Sequence, residues 1–214
     1  EEMKEAGTNV HVVSTIDDIC WTLNIRGNDI DFFPLVLSYG IITMDSFELY
    51  IDERKLDDKL KAKLAKDGVN LHPYNDIYED MKKFGSDVVA MIDPGKLNYA
   101  LFNNIPENVK TVEKRNPAIL MKAIKNPVEI ENIRKAQIKD SVAHVRFMKW
   151  LKENVGKMRI TEMSASDKLD EFRAEMGNFI RPSFEPISSF GEHGAIVHYT
   201  SSPETDVELK EGQL

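Results

Sequence analysis

The stretch Val10-His11-Val12-Val13-Ser14-Thr15, followed by Ile16-Asp17-Asp18-Ile19-Cys20-Trp21-Thr22-Leu23, decides how the first half of the chain folds. Residues 10–15 form a short run that is rich in β-branched side chains, which is typical of a buried strand. Thr15 offers a side-chain oxygen at a helix N-terminus, and Asp17 and Asp18 place negative charge in the first turn. The stretch therefore predicts a buried strand that leads directly into a helix.

The same alternation continues to about residue 125. Short apolar runs bounded by turn residues predict strands, and apolar residues spaced by three or four predict helices. We predict further strands at 34–44, 47–52, 71–74, 87–93, 109–112 and 119–123, and further helices at 1–6, 55–66, 76–84 and 97–103. Strands that alternate with helices indicate an α/β layer domain with some parallel pairing.

A different organisation begins after residue 125. Asn126 is suited to an N-cap, Pro127 to the first helical position and Glu129 to the first turn of a helix that we predict to run to Val155. Thr161 is expected to open the next helix. Residues 184–200 contain several Ser and Gly residues and resemble strands. The pattern places a domain boundary near residue 125.

The composition excludes several classes of function. With 28 Lys and Arg against 36 Asp and Glu, the net charge is −8. Nucleic acids and anionic membranes both require a basic face, so we expect neither as a partner. The single cysteine, Cys20, excludes an internal disulfide and fits a reducing compartment. No apolar run approaches the roughly 18–20 residues that span a bilayer.

Both ends of the sequence suggest a piece of a longer protein. Helix-forming residues begin at Glu1 with no capping residue before them, and residues 208–214 resemble a turn that leads into a further strand. We therefore expect the natural protein to extend in both directions. Ordinary disordered termini are the alternative explanation.

Three stretches of the sequence, in their order and spacing, resemble one family. They are Asp17–Gly27 with Pro34 and Ser38-Tyr39, then Lys125–Ala136, and finally Ile187–Gly191 with Gly194-Ala195-Ile196-Val197-His198-Tyr199. Together they resemble the Xaa-Pro aminopeptidases of the three-domain type, within the creatinase/prolidase "pita-bread" metallopeptidases. The resemblance covers nearly the whole chain, and its last stretch is the most specific.

The resemblance implies a fold in two parts. Residues 1–125 would form a creatinase N-terminal-like domain, a mixed sheet with helices on its faces, which is the second domain of the three-domain enzyme and is cut at its N-terminus. Residues 126–214 would form the start of a pita-bread α+β catalytic domain, cut at its C-terminus. The fold class implied is therefore α/β, followed by a truncated α+β domain.

The resemblance also implies an activity. Such enzymes release the N-terminal residue from peptides with proline at the second position, and they are cytoplasmic and often dimeric. They use two divalent metal ions, usually manganese, and a hydroxide that bridges the ions attacks the scissile carbonyl. The family's ligands are two Asp, one His and two Glu, and none of them matches a position in this chain. We therefore expect residues 1–214 alone to bind no metal and to be inactive.

The spacing of the carboxylates within the chain also predicts no metal site. The local pairs Asp17/Asp18, Asp29/Asp31 and Asp57/Asp58 have no histidine at ligand spacing. We interpret these pairs as helix caps and solvated surface, and the internal spacing predicts no metal site within residues 1–214. Cys20 has apolar neighbours and is predicted to be a small buried side chain rather than a nucleophile.

His198 is the one predicted site residue. It lies in the apolar run 195–199, and from the residues alone a half-buried strand histidine remains an alternative. The resemblance matches it to a histidine beside the metal centre that contacts the substrate or the tetrahedral intermediate, so we predict it to be both catalytic and substrate-binding. His193 lies at an odd offset and is predicted to be a loop residue on the surface. Tyr199 should face away from His198, into the core.

Other functions on this fold stay open. A prolidase acting on Xaa-Pro dipeptides, or a creatinase-type hydrolase, would keep the architecture and change the substrate. Pita-bread domains without metal ligands serve as peptide- or protein-binding modules. The sequence that follows residue 214 would distinguish these alternatives, because an enzyme requires all five ligands there.

Overall fold

The structure, a computed structural model, describes residues 1–212. These residues form two compact units. The first unit comprises Glu1–Ile30 and Pro34–Lys125, and the second comprises Asp31–Phe33 and the residues that follow Lys125.

A mixed six-stranded sheet forms the centre of the first unit. Its strands are β1 (Val10–Val13), β2 (Ser38–Ile42), β3 (Phe47–Ile51), β4 (Val69–His72), β5 (Val89–Ile92) and β6 (Lys110–Glu113). Their order across the sheet is β4-β3-β2-β1-β5-β6. The central pairs β1–β2 and β2–β3 are antiparallel, whereas β3–β4, β1–β5 and β5–β6 are parallel. This arrangement confirms the predicted partly parallel sheet.

Helices surround this sheet. They are α1 (Glu2–Glu5), α2 (Ile16–Leu23), α3 (Asp58–Lys66), α4 (Ile77–Met81), α5 (Tyr99–Asn103) and α6 (Ala118–Ala123). The helix predicted at 55–66 begins instead at Asp58, because the Asp57 side chain caps it by accepting the Leu60 N–H at 2.7 Å. Residues 53–55 before this cap form a separate 3₁₀ turn.

The two faces of the sheet carry separate apolar cores. Leu49 lies in one core with Ile19 of α2 and Leu64 of α3. The next residue along β3, Tyr50, lies in the other core with Met81 of α4. Alternate residues of a strand point to opposite faces, so every residue of a strand that is covered on both faces is buried. This is why all four residues of β1 are buried.

The prediction of a strand over 119–123 is wrong, because these residues belong to helix α6. The Ala118 N–H donates to the Asn116 side chain at 3.1 Å, and the Ile119 N–H donates to the Asn116 carbonyl at 3.1 Å. These local bonds start a helical turn in a segment whose apolar run fits either structure. The strand predicted over 34–44 is also shorter than expected, since only Ser38–Ile42 pair with neighbours.

Two helices form most of the second unit. Helix α7 spans Pro127–Asn154, and α8 spans Glu162–Glu175. The Asn126 side chain accepts the Glu129 N–H at 2.9 Å, and the Glu129 carboxylate accepts the Asn126 N–H at 2.8 Å, which forms a capping box. Arg173 of α8 donates to Asp140 of α7 at 2.8 Å and joins the two helices. The sequence predicted both ends of α7 and the start of α8 within a residue.

The strand-like interpretation of residues 184–200 is wrong. Within residues 1–212 this segment contains no strand, and a single 3₁₀ turn spans Gly191–Ala195. A strand requires a partner for its backbone groups, and the Phe190 N–H instead donates to a side-chain carboxylate. His198 therefore lies in a turn, with φ of 56° in the left-handed region, and not in an extended strand.

Candidate functional site

Segment 188–199 is arranged around the side chain of Glu162. This glutamate is the first residue of α8 and is 0% exposed. Its Oε1 accepts the Phe190 N–H at 2.6 Å, and its Oε2 accepts the Tyr199 hydroxyl at 2.7 Å. The His193 Nδ1 lies 3.0 Å from Oε1, and the Ser188 hydroxyl donates to the Glu162 carbonyl at 2.7 Å. One residue of α8 therefore binds four positions of the segment.

The environment of Glu162 favours its charged form. Burial raises the pKa of Glu162, but the hydrogen bonds from Tyr199, His193 and the Phe190 N–H outweigh burial and lower it below 4.5. The carboxylate also lies in the first turn of α8, where the helix dipole favours negative charge. An ionised carboxylate cannot donate, so the His193 Nδ1 must carry the proton that faces it.

The surface position predicted for His193 is wrong. The ring of His193 stacks on the Tyr199 ring with centroids 4.5 Å apart, and only 16% of its side chain is exposed. The contact with Glu162 spans 31 positions of sequence. No local pattern in the sequence signals a contact of this range, so the offset between His193 and His198 could not predict it.

Tyr199 is buried, as its predicted core position requires. Its hydroxyl is satisfied by Glu162 and lies 3.2 Å from the Thr205 hydroxyl. Burial and the neighbouring carboxylate raise the pKa of Tyr199, so the hydroxyl remains protonated and acts as a donor. Tyr199 is thus a fixed point of the segment, one residue after His198.

His198 itself faces solvent. Its side chain is exposed, and within residues 1–212 it forms no hydrogen bond or ion pair. The Tyr199 N–H donates to the Ile196 carbonyl at 3.3 Å and closes the turn that presents His198. Both imidazole nitrogens are therefore free to contact a molecule outside the described residues.

Asp18 corrects another prediction, since it is 1% exposed rather than solvated. Its Oδ2 accepts the Asn116 side-chain N–H at 2.8 Å and the Thr15 hydroxyl at 2.5 Å. The Lys122 Nζ donates to its Oδ1 at 2.6 Å and also contacts Asp17. All of these groups belong to the first unit, and they bind one another, so the cluster has a sufficient structural explanation.

Asp57 caps α3, as expected of a helix-capping carboxylate. Asp29 was expected on the solvated surface, but it is half-buried, accepts the Leu37 N–H at 2.7 Å and pairs with the Lys55 ammonium at 2.6 Å. Across residues 1–212 no three His, Cys, Asp or Glu side chains are grouped so that they could hold a metal ion. Cys20 is buried as predicted, and burial raises the pKa of its thiol.

Comparison with known proteins identifies the family. Residues 1–129 match the creatinase/prolidase N-terminal domain. The chain belongs to this family. Residues 131–214 match the metallopeptidase family M24, so the protein combines a creatinase N-terminal domain with part of an M24 domain. Among the described residues no helix is long and apolar enough to cross a membrane.

Individual relatives agree with the two family matches. "Xaa-Pro aminopeptidase 1" of Dictyostelium discoideum is 37% identical, over 99% of this chain and 34% of that protein. "Probable Xaa-Pro aminopeptidase P" of Neurospora crassa is 36% identical, over 93% of this chain and 31% of that protein. The creatinase/prolidase chain thus spans about a third of the length of the curated relatives that it matches.

Solved structures confirm the predicted fold class. The X-prolyl aminopeptidase of Caenorhabditis elegans, described as a cytosolic enzyme with a di-nuclear active site, superposes with a TM-score of 0.92. It is 30% identical, over 99% of this chain and 36% of that one. The prolidase of Pyrococcus horikoshii shares the fold, with a TM-score of 0.64 at 20% identity over 99% of this chain and 56% of that one.

Proposed function

We propose that the whole protein is an aminopeptidase that releases the N-terminal residue from peptides with proline at the second position. The observation that carries this proposal is the likeness to Xaa-Pro aminopeptidases across nearly the whole chain, which includes a match to an M24 metallopeptidase domain. We propose the boundary between its domains at residue 125, with residues 126–214 as the N-terminal part of the catalytic domain.

His198 would act on the substrate. It is exposed on a turn, and the next residue, Tyr199, is hydrogen-bonded to the buried Glu162 carboxylate. The imidazole is therefore attached to a fixed residue and accessible to a substrate. An imidazole N–H directed at the scissile carbonyl can donate a hydrogen bond to the oxygen as negative charge develops there. Stabilisation of this kind is worth about a hundredfold to a thousandfold in kcat when one donor is removed.

The catalytic metal ions would have to be bound outside the described residues. Residues 1–212 contain no group of three possible ligands, and so do not fit a metal centre by themselves. In the proposed enzyme two divalent ions, with manganese as the expected metal, would supply the nucleophile and polarise the carbonyl. No residue of this chain is assigned as a ligand.

Three further properties belong to the same proposal. The substrates would be peptides with proline at the second position, rather than nucleic acids, which the net charge of −8 disfavours. The location would be cytoplasmic, in keeping with the C. elegans relative, which is described as a cytosolic enzyme. A homodimer is expected from the family resemblance alone.

The test uses the full-length protein loaded with metal. His198→Ala should lower kcat on an Xaa-Pro tripeptide by about a hundredfold or more, while metal content stays unchanged. His144→Ala is the matched control, because His144 lies on α7 and, among residues 1–212, its Nδ1 is paired with Asp140 of the same helix. Near-wild-type turnover in His198→Ala would reject the role of His198.

The substrate assay separates the alternative functions. Cleavage of tripeptides identifies an aminopeptidase, whereas cleavage restricted to Xaa-Pro dipeptides identifies a prolidase. Hydrolysis of creatine without peptide cleavage would identify a creatinase-type enzyme. Peptide binding without hydrolysis of any of these would reject the enzyme and favour a binding module.

A further inference from the structure

Glu162 contacts three parts of the second unit: α8, the residues around Val207, and the segment that contains His198. Its backbone N–H donates to the Val207 carbonyl at 3.1 Å, and the next N–H, of Met163, donates to the Asp206 side chain at 3.0 Å. Its carboxylate accepts from residues of the segment that contains His198. The backbone of Glu162 is therefore fixed by Val207, and its side chain binds the turn that contains His198.

Both local and long-range hydrogen bonds fix the backbone at the start of α8. The Ser164 N–H donates to the Thr161 hydroxyl at 3.2 Å, and the Thr161 N–H donates to the Ser164 hydroxyl at 2.8 Å. The Leu209 N–H donates to the Ile160 carbonyl at 2.8 Å. Backbone bonds on both sides of Glu162 thus determine where its carboxylate lies.

The carboxylate holds the turn at both of its ends. His193 contacts it before the turn, and Tyr199 contacts it after the turn. His198 immediately precedes Tyr199 and has a positive φ of 56°, which is uncommon for a non-glycine residue. The Tyr199 N–H closes this turn on the Ile196 carbonyl, and the Tyr199–Glu162 bond fixes the side chain that follows His198.

We propose that Glu162 is a positioning residue that orients His198 toward the substrate through Tyr199. The inference rests on the proposed function, and it assigns a role to a residue that touches neither the substrate nor a metal ion. Misplacement of a reacting group by about 1 Å can cost a hundredfold in rate. Loss of one fixing hydrogen bond should therefore lower turnover without loss of the fold.

A double-mutant cycle in the full-length metal-loaded enzyme tests this coupling. Tyr199→Phe removes only the hydroxyl, and we expect it to lower kcat about tenfold while KM changes less than about twofold. On a His198→Ala background the same substitution should change kcat by less than about twofold, because the group that it positions is gone. Glu162→Gln, which keeps the shape and removes the charge, should follow the same pattern.

A matched control separates positioning from stability. The buried Tyr50 donates its hydroxyl to Asp80 at 3.0 Å in the first unit, so Tyr50→Phe removes a bond of the same type far along the chain from the turn. We expect wild-type kcat for this variant. If Glu162→Gln fails to fold, the Tyr199→Phe cycle decides the question alone.

The outcomes are distinguishable. Equal fold-losses from Tyr199→Phe with and without His198, or no loss at all, overturn the positioning role and leave the proposed function intact. Near-wild-type turnover in His198→Ala overturns the role of His198 and, with it, the positioning role of Glu162, and leaves the proposed aminopeptidase activity intact. If the wild-type protein has no peptidase activity, the proposed function fails. Hydrogen exchange then tests whether the Tyr199–Glu162 bond anchors residues 190–199. Tyr199→Phe should speed amide exchange across these residues, and an unchanged rate overturns the anchoring as well.

Discussion

Lys122→Met offers a direct test of the buried carboxylate in the first unit. Asp18 is 1% exposed, and the ammonium of Lys122 lies 2.6 Å from its Oδ1. Methionine keeps most of the aliphatic stem of lysine and removes the charge. The substitution therefore leaves a buried anion without its cation, while it creates little empty volume.

The magnitude follows from what remains around Asp18. Removal of one partner from a fully buried ion pair costs about 3–5 kcal/mol. Two features lower the cost here. Asn116 and Thr15 still donate to Oδ2, at 2.8 and 2.5 Å, and 25% of the Lys122 side chain is exposed, so solvent already screens part of the attraction. We expect a loss of about 2–3 kcal/mol in the free energy of unfolding of this unit.

Urea unfolding followed by fluorescence measures this loss. The chain has two tryptophans, and a Trp150→Phe background leaves Trp21 in α2 as the reporter of the first unit. Lys82→Met is the control, because the Lys82–Glu79 pair is largely exposed and should contribute less than about 0.5 kcal/mol. A loss in Lys122→Met no larger than in Lys82→Met would refute the argument that Asp18 depends on a buried counter-charge.

Two further predictions concern the core and the pH dependence. Leu49→Ala, at 0% exposure in β3, should destabilise the first unit by about 2–5 kcal/mol in urea unfolding, whereas Leu120→Ala, at 67% exposure, should cost less than about 0.5 kcal/mol. For Glu162 the pKa is lowered on folding, so its contribution to stability is fully present above the unfolded value of about 4.5 and is lost as the pH falls below it. Unfolding followed at Trp150 should therefore show that Glu162→Gln loses less stability on acidification than the wild-type protein does. An equal loss in the variant and the wild type would contradict the assignment of Glu162 as charged.

Features that depend on near neighbours could be predicted well. The capping box at Asn126 and Glu129 uses residues three apart, and both ends of α7 were predicted within one residue. The buried strand at residues 10–13 follows from its composition. Thr15 is the N-cap of the helix after it, but its hydroxyl donates to Asp18 and, among the described residues, accepts no backbone N–H, so the predicted capping bond is absent. Burial of Cys20 follows from its apolar neighbours.

Segments whose pattern fits two structures could not be assigned from the sequence. Residues 119–123 are apolar enough for a strand or a helix, and the hydrogen bonds to Asn116 decide for the helix. The apolar run around His198 fits a strand, yet a strand requires a partner, and among residues 1–212 none pairs with it. His198 could be singled out only through the family resemblance.

By itself the sequence determined the alternation of strands and helices, the two capped helices after residue 125 and the membership of the family. These features arise from contacts within a few residues, or from motifs that can be recognised without knowledge of the fold. The tertiary structure alone decided that Asp18 and Glu162 are buried and that His193 and Tyr199 meet on one carboxylate. The long-range contacts of these carboxylates join residues 28 to 104 positions apart, and the free energy of burying a charge depends on which donors the fold brings to it.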